Sequence, residues 1–384
     1  MDYTIEYVEI REKATRKLIG NIDTAKSIIW SMPYYGVGEF EIYVAATEAT
    51  LELLKYGNYV TRHDREDCGI IEKINIENTA EDGRMITASG RFCKAILDRR
   101  IVYEATLKGT GMQYWWSCKA AILNGNVETA VRGVISKNAV NAVNVNRNIP
   151  EIYWTDEDVT GLTETITVQT SSTATEAAEK QVTYKKLLSY TDGVLEEYKL
   201  GAKMWLDRDL LKFRYKIYKG VDRSRDNTDG RPPLVFSQDF DNLLETNYSF
   251  DDTEYKTTAL IGGEGEGEER ICAFAYEWIK GLDRRETFVD ASTLTQEEGM
   301  TVETYRKQLE AQGQQAIASS QKVETFDGKL DLTNSSLRFG EDYSIGDIVT
   351  VEDPELGKYI NARIVQIDEV QDDDGYHMEV DYGA

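Results

Sequence analysis

Histidine is almost missing from this 384-residue chain, which carries only His63 and His377. With so few imidazoles, most nucleophile–base triads and most zinc-hydrolase patterns are excluded. Cysteine is nearly as sparse. Cys68, Cys93, Cys118 and Cys272 are scattered and none forms a Cys-x-x-Cys pair, so buried free thiols are expected rather than a zinc site or a disulfide framework. Basic charge is in deficit, 44 Lys and Arg against 68 Asp and Glu, for a formal charge of -24. No counterion release would drive binding to phosphate, so nucleic acid is not expected as an adhesive partner. The same balance suits a surface that nucleic acid passes without sticking. No apolar run approaches the roughly 20 residues of a membrane span, and the opening Met1-Asp2-Tyr3-Thr4 does not read as a signal peptide.

What is present is a succession of short β-branched and aromatic runs punctuated by Gly and Asp-Gly. Residues 343–383 read as a small antiparallel meander, and 57–90 carry the same landmarks in the same order. Gly57-Asn58-Tyr59-Val60-Thr61 matches Gly346-Asp347-Ile348-Val349-Thr350, Ile71-Glu72-Lys73-Ile74 matches Ile364-Val365-Gln366-Ile367, and Asp82-Gly83 matches Asp374-Gly375. Each copy closes on a strand ending in Gly, at Gly90 and Gly383. Shared composition of any two meanders is the competing explanation; the order and spacing of the landmarks favour a repeat. The period is too long for a solenoid or propeller, which leaves two copies of one β-domain.

Between these copies the pattern varies. Thr47 is placed to cap a short helix that Gly57 stops. Residues 106–141 show apolar residues at three-to-four spacing, through Tyr114-Trp115-Trp116 and Ala120 to Leu123, and predict two helices broken at Asn124-Gly125-Asn126. A longer helix is expected from about Thr175 to Tyr198. Residues 200–206 and 211–218 predict a hairpin, and 301–322 an amphipathic helix with Val302, Tyr305, Leu309 and Ala316 on one side.

Tyr34-Tyr35-Gly36-Val37-Gly38-Glu39-Phe40, followed by Ile70-Ile71-Glu72-Lys73-Ile74, Ser89-Gly90 and Ile96-Leu97-Asp98-Arg99-Arg100-Ile101, resembles the N-terminal domain of baseplate hub or tail-tip proteins of tailed bacteriophages and related prophage particles. The Phe240-Asp241-Asn242-Leu243 turn and the Gly262 to Glu269 hairpin are similar to features that precede the second barrel-like domain of that family. The resemblance implies an α+β, mainly β fold, with two similar tail-tube-like antiparallel β-barrel domains and helical or mixed inserted domains. The expected division is a first β-barrel at 1–98, a mixed α/β part with helices and a hairpin at 99–225, a second, discontinuous barrel at 226–283 and 330–384, and a helical insertion at 284–329.

Motifs that invite chemistry have plainer accounts. Gly262-Gly263-Glu264-Gly265-Glu266-Gly267-Glu268-Glu269 has no Lys, and its four carboxylates would repel phosphate, so an acidic hairpin tip that could line a lumen is expected. Asp372-Asp373-Asp374-Gly375 fails as a calcium loop because Val370 would take the first ligand position; a solvated Asp-Gly hairpin fits instead. His63 lies in the charged run Arg62 to Asp67, read as an exposed hairpin tip, and His377 on an alternating strand. Trp115 and Trp116 read as core residues, although a sugar platform using them or Trp154 is open. No catalytic residue, cofactor site or metal site is expected. The resemblance implies a structural hub subunit, a homotrimer whose ring closes the tail tube. Its partners would be a tail tube or distal tail protein and a spike, fibre or lysin, with DNA passing the lumen without specific binding. It would reside in the virion after assembly in the host cytoplasm. A tail-associated peptidoglycan hydrolase or a cell-wall carbohydrate-binding protein is the alternative.

Overall fold

A computed structural model describes residues 4–80, 83–110, 113–169, 175–177, 179–182, 184–240, 242–296, 299–330 and 337–383. The chain divides into two compact units, one of residues 1–166, 178–247 and 326–384, the other of 167–177 and 248–325.

In the first unit the opening strands are β1 (Val8–Arg11), β2 (Leu18–Ile22), β3 (Ser27–Pro33) and β4 (Glu39–Ala45). Their alternation is the physical cause of their placement. Ile28, Trp30 and Met32 on β3 and Phe40, Ile42 and Val44 on β4 are buried, and the residues between them face the other way. Helix α1 (Glu48–Leu53) begins where Thr47 and Thr50 cap each other reciprocally, and Leu54 buries its end. Then follow β5 (Tyr59–Thr61), β6 (Cys68–Ile70), β7 (Lys73–Thr79) and β8 (Gly83–Arg91).

The middle of this unit departs from the sequence expectation. Residues 104–110 and 113–119 pair as an antiparallel hairpin and 121–124 form a further strand, where a helix was expected. Short apolar runs are ambiguous between the two periods, and the aromatic and Thr content of this stretch favours the extended form. The second expected helix is present as α2 (Val127–Ile135), capped by the Asn126 side chain. The helix expected from Thr175 is only α3 (Leu187–Glu197), because 175–177 and 179–182 are strands and Tyr184 takes a left-handed φ of 60°. Both helices and the hairpin of Gly201–Asp207 with Lys212–Tyr218 enclose one apolar cluster that includes Val131, Leu187, Met204, Phe213 and Tyr215.

The later strands are β9 (Val235–Ser237), β10 (Leu243–Asp251), β11 (Val323–Leu330), β12 (Ile348–Asp353), β13 (Lys358–Asp372) and β14 (Gly375–Gly383). They join the early ones in a ten-stranded sheet of order β10-β11-β14-β13-β3-β4-β8-β7, with β12 on β13 and β9 on β12. The mainly β character matches expectation. The two strand groups do not form separate barrels in this chain; they lie side by side in one open sheet, and no sheet among the described residues closes.

The second unit has its own core. A three-stranded sheet (Cys272–Ala275, Thr258–Gly262, Glu286–Asp290) is covered by α4 (Val302–Ser319), the expected amphipathic helix. Tyr305, Leu309 and Ile317 pack on Ala259, Ile261 and Ala275. Val302 is exposed, and Ala316 is half-buried. Gly313 allows the close approach, since a Cβ there would lie 2.3 Å from Ile261 Cδ1.

Candidate assembly surfaces

The repeat is present in the backbone. Gly57 N–H donates to the Ile71 carbonyl at 2.8 Å and Ile71 N–H to that of Asn58 at 2.9 Å; Gly346, Ile364 and Asp347 make the same two bonds at 2.8 and 2.9 Å. Both glycines adopt positive φ, +83° and +96°, as such a turn requires. The register of β13 on β14 slips by one residue between Ile364 and Gln366, and the pairing slips equally between the Gly69–Phe92 bridge and Lys73–Ser89. Lys73 thus corresponds to Gln366, Ile74 to Ile367 and Ile76 to Glu369. The closing glycines are one residue out of step: Gly90 stands where the second copy has Tyr382. Asp82 of the proposed turn lies outside the described residues.

Strand order repeats as well. Chain order within the first group is β3, β4, β7, β8 and its spatial order is β3-β4-β8-β7; the second group reads β10-β11-β14-β13 in the same sense. The third strand of the second group, β13, pairs antiparallel with the first strand of the first, β3, setting Ile367 opposite Met32 and Glu369 opposite Trp30. Among the described residues this leaves β7 and β10 as the outer strands of the sheet. Every residue of β7 is exposed, including Ile74 and Ile76 at 38% and 44%.

Beneath the β3–β13 junction lies a buried ionic cluster. Glu369, wholly buried, accepts from Arg62 Nη1 at 2.8 Å, from Arg65 Nε and Nη2 at 3.1 and 2.5 Å, and from the Tyr376 hydroxyl at 2.5 Å. Arg62 also holds Asp64 at 3.0 and 2.6 Å, and its guanidinium lies 5.6 Å from the Trp30 ring centroid. Burial opposes the charge on Asp64, but the Arg62 hydrogen bonds and the two guanidinium charges outweigh it and hold the carboxyl below its usual range. Burial and the Glu369 charge together push the Tyr376 hydroxyl well up. The exposed charged tip expected for Arg62 to Asp67 is therefore corrected at Arg62, which is 1% exposed. A carboxylate two residues after Ile367, in the inward phase of an alternating strand, was the signal in the sequence that a buried cation had to meet it.

Beside the cluster is a cavity of about 460 Å³, lined in part by Met32, Gly38, Phe92, Lys203 and Trp205. Asp67 borders it, and desolvation pushes its carboxyl up to about 6 against the pull of Lys203. The sheet face opposite the ionic cluster is acidic, with Glu39, Glu41, Glu77, Asp368, Glu379 and Asp381 facing one way beside Lys73 and Arg91.

The other singled-out residues disperse. His63 is exposed and stacks on Tyr7 at 4.9 Å, and His377 is half-buried on β14. Trp154 packs against Tyr215 at 6.3 Å and Arg132 at 5.6 Å, at the edge of the apolar cluster. Trp115 and Trp116 lie on a strand, and their side chains are outside the described residues. Cys68 and Cys93 are buried as expected; Cys118 is exposed and Cys272 half-buried. Asp372 and Gly375 face each other across the β13–β14 turn, where Asp374 N–H donates to Asp372 Oδ1 at 2.9 Å. The Gly262 to Glu269 tip is tied down by Arg270, which donates to the carbonyls of Gly262 and Gly263. Among the described residues, no group of three His, Cys, Asp or Glu side chains could hold a metal ion, and no helix is long and apolar enough to cross a membrane.

No curated protein matches the sequence. Among solved structures, the chain is similar to a tail protein from Neisseria meningitidis MC58, at 12% identity over 98% of this chain and 96% of that one, with a TM-score of 0.55. It is equally similar to the 43 kDa tail protein of prophage MuSo2 from Shewanella oneidensis, at 13% identity over 98% of both chains and a TM-score of 0.55. At such identity the likeness is one of fold, and the fold is one found in phage tail proteins. The family model for the Siphovirus ReqiPepy6 Gp37-like protein matches residues 7–384. The resemblance to tailed-phage proteins drawn from the sequence therefore stands, and the chain belongs to the Siphovirus ReqiPepy6 Gp37-like family.

Proposed function

We propose that this chain is the hub subunit of a phage or phage-derived tail tip or baseplate, and that three copies form a ring closing the tail tube. The observation that carries the reading is the tandem strand order: one chain contributes two quasi-equivalent four-stranded groups to one sheet. Three copies would then present six such groups, which joins a sixfold tube to a threefold tip by geometry alone. On this reading the expected tail-tube-like barrel is the property of the ring, with strands of 1–98, 235–251 and 323–383 supplying its wall, whereas 258–275, expected in the second barrel, lie in the separate sheet under α4. Residues 99–225 and 258–319 are left for contacts with other tail components, a tube or distal tail protein on one side and a spike, fibre or lysin on the other. The acidic sheet face would line the lumen, where it would repel the phosphates of a passing genome. The protein would be a virion component assembled in the host cytoplasm.

The test is the mass and symmetry of the purified chain, by native mass spectrometry and negative-stain averaging, alone and with tube protein. A threefold ring with pseudo-sixfold density supports the proposal. A chain that stays monomeric at high concentration and forms no ring with tube protein overturns it.

A further inference from the structure

We propose that β7 of one copy pairs antiparallel with β10 of the next, in the register of the internal β13–β3 junction, so that Ile76 meets Tyr248 and Ile74 meets Phe250 of the next copy. This rests on the ring reading and adds to it the edges, the register and the residues.

The two copies of the repeat differ in one respect. Ile367 and Glu369 of β13 are buried because β3 lies alongside, with Met32 and Trp30 opposite them. Their counterparts on β7, Ile74 and Ile76, are in the same backbone register and on the same face of the sheet, yet are 38% and 44% exposed. Among the described residues, no strand lies beside β7 in the place that β3 fills for β13. An edge strand of seven residues with two outward isoleucines and no proline is a template for pairing. By strand order, the counterpart of β3 is β10, and it lies at the opposite end of the same sheet. An unfilled site at one edge and its filler at the other make a heterologous contact, which propagates from copy to copy until it closes.

The register follows from the partner strands. Phe40 pairs with Gly90, and Phe326 pairs with Tyr382, the counterpart of Gly90, so Phe326 corresponds to Phe40 and Thr325 to Glu39. Ser31 stands opposite Glu39. The Ser249 and Thr325 hydroxyls meet at 2.7 Å, which sets Ser249 in the place of Ser31. Tyr248 then takes the place of Trp30 and Phe250 that of Met32. Phe250, 51% exposed, is an aromatic ring at a half-open edge, suited to cover an isoleucine across a strand pair. At this junction Ile76 stands where Glu369 does internally, so the contact between copies would be apolar where the one within the chain is ionic.

The test uses the full-length chain with Cys118 and Cys272 changed to serine. The pair Ile76→Cys with Tyr248→Cys should oxidise to a covalent ladder ending at the trimer. Ile76→Cys with Ser249→Cys, one residue out of register and on the opposite face, should not. In parallel, Ile76→Lys should weaken ring formation by more than about tenfold while leaving the melting of the monomer unchanged, since the side chain is at an exposed edge. Wild-type rings with no cross-link from the first pair, or rings formed equally well by Ile76→Lys, overturn this inference and leave the ring reading intact. A wild-type chain that forms no ring overturns both.

Discussion

Replacing Glu369 by alanine should loosen the junction between the two halves of the large sheet more than any other single change there. The carboxylate is wholly buried and faces two guanidinium groups, of which Arg62 is 1% exposed. Breaking a buried ion pair from one side typically costs about 3–5 kcal/mol, because the remaining charge is left desolvated. Arg62 keeps Asp64 at 2.6 Å, and Arg65, partly exposed, can turn toward water, so the expected loss lies near the lower end, about 3 kcal/mol. The pair Arg62→Met with Glu369→Met removes both charges and supplies apolar volume. It should come within about 1 kcal/mol of the wild type. A double-mutant cycle would therefore give a coupling of about 2 kcal/mol or more. Because the chain has two compact units, a single global melt would mix their unfolding. The assay is amide hydrogen exchange of β3 and β13 in urea, which reads the junction locally. A cost below about 1 kcal/mol for Glu369→Ala would refute the reasoning, since the cluster would then be hydrated. A double variant as damaged as the single one would refute it differently, by showing that packing and not charge is at stake.

Other expectations can be checked with the same chain. Asp67 binds its proton up to about pH 6 when folded and only up to about pH 4 when unfolded, so it lowers stability as pH rises through that window. Asp67→Asn should accordingly match the wild type near pH 4 and exceed it by up to about 3 kcal/mol at pH 7.5, measured by hydrogen exchange of β5 and β6 in urea. Asp64 has the opposite sign: its folded carboxyl titrates below the unfolded one, so its contribution is present above about pH 4 and is lost as pH falls through the lower folded value. Asp64→Asn should flatten the acid limb of the stability profile. Gly90→Ala would set a Cβ 1.8 Å from the Ile70 carbonyl oxygen, and backbone cannot yield as a side chain does; a loss of about 2 kcal/mol or more is expected, read by hydrogen exchange of β8. Tyr305→Phe removes the hydroxyl that donates to the Leu294 carbonyl and accepts from Glu264 N–H at 2.8 Å. It should cost about 1–3 kcal/mol, confined by hydrogen exchange to the unit around α4.

How much of this was legible in the residues depends on how local the cause is. The Thr47 cap and the placing of Tyr305 and Leu309 on the buried side of α4 act within a few residues, and both stand in the structure as read, although Val302, expected on that side, is exposed. Alternation along β3, β4, β13 and β14 records which face of each strand is buried, so the two matched meanders and the mainly β character were determined by the sequence itself. Alternation does not record which strand lies alongside. That β3 pairs with a strand more than three hundred residues later was decided only by the tertiary fold, as with the Ser31–Asp368 bond across 337 residues. With that pairing came the burial of Arg62, the joining of two expected barrels into one open sheet, and the exposure of Ile74 and Ile76 at its edge. The strands at 104–124 belong to the same class. Their short apolar runs satisfy both periods; 104–110 and 113–119 settle it by pairing with each other, while 121–124 is fixed by 179–182, more than fifty residues later.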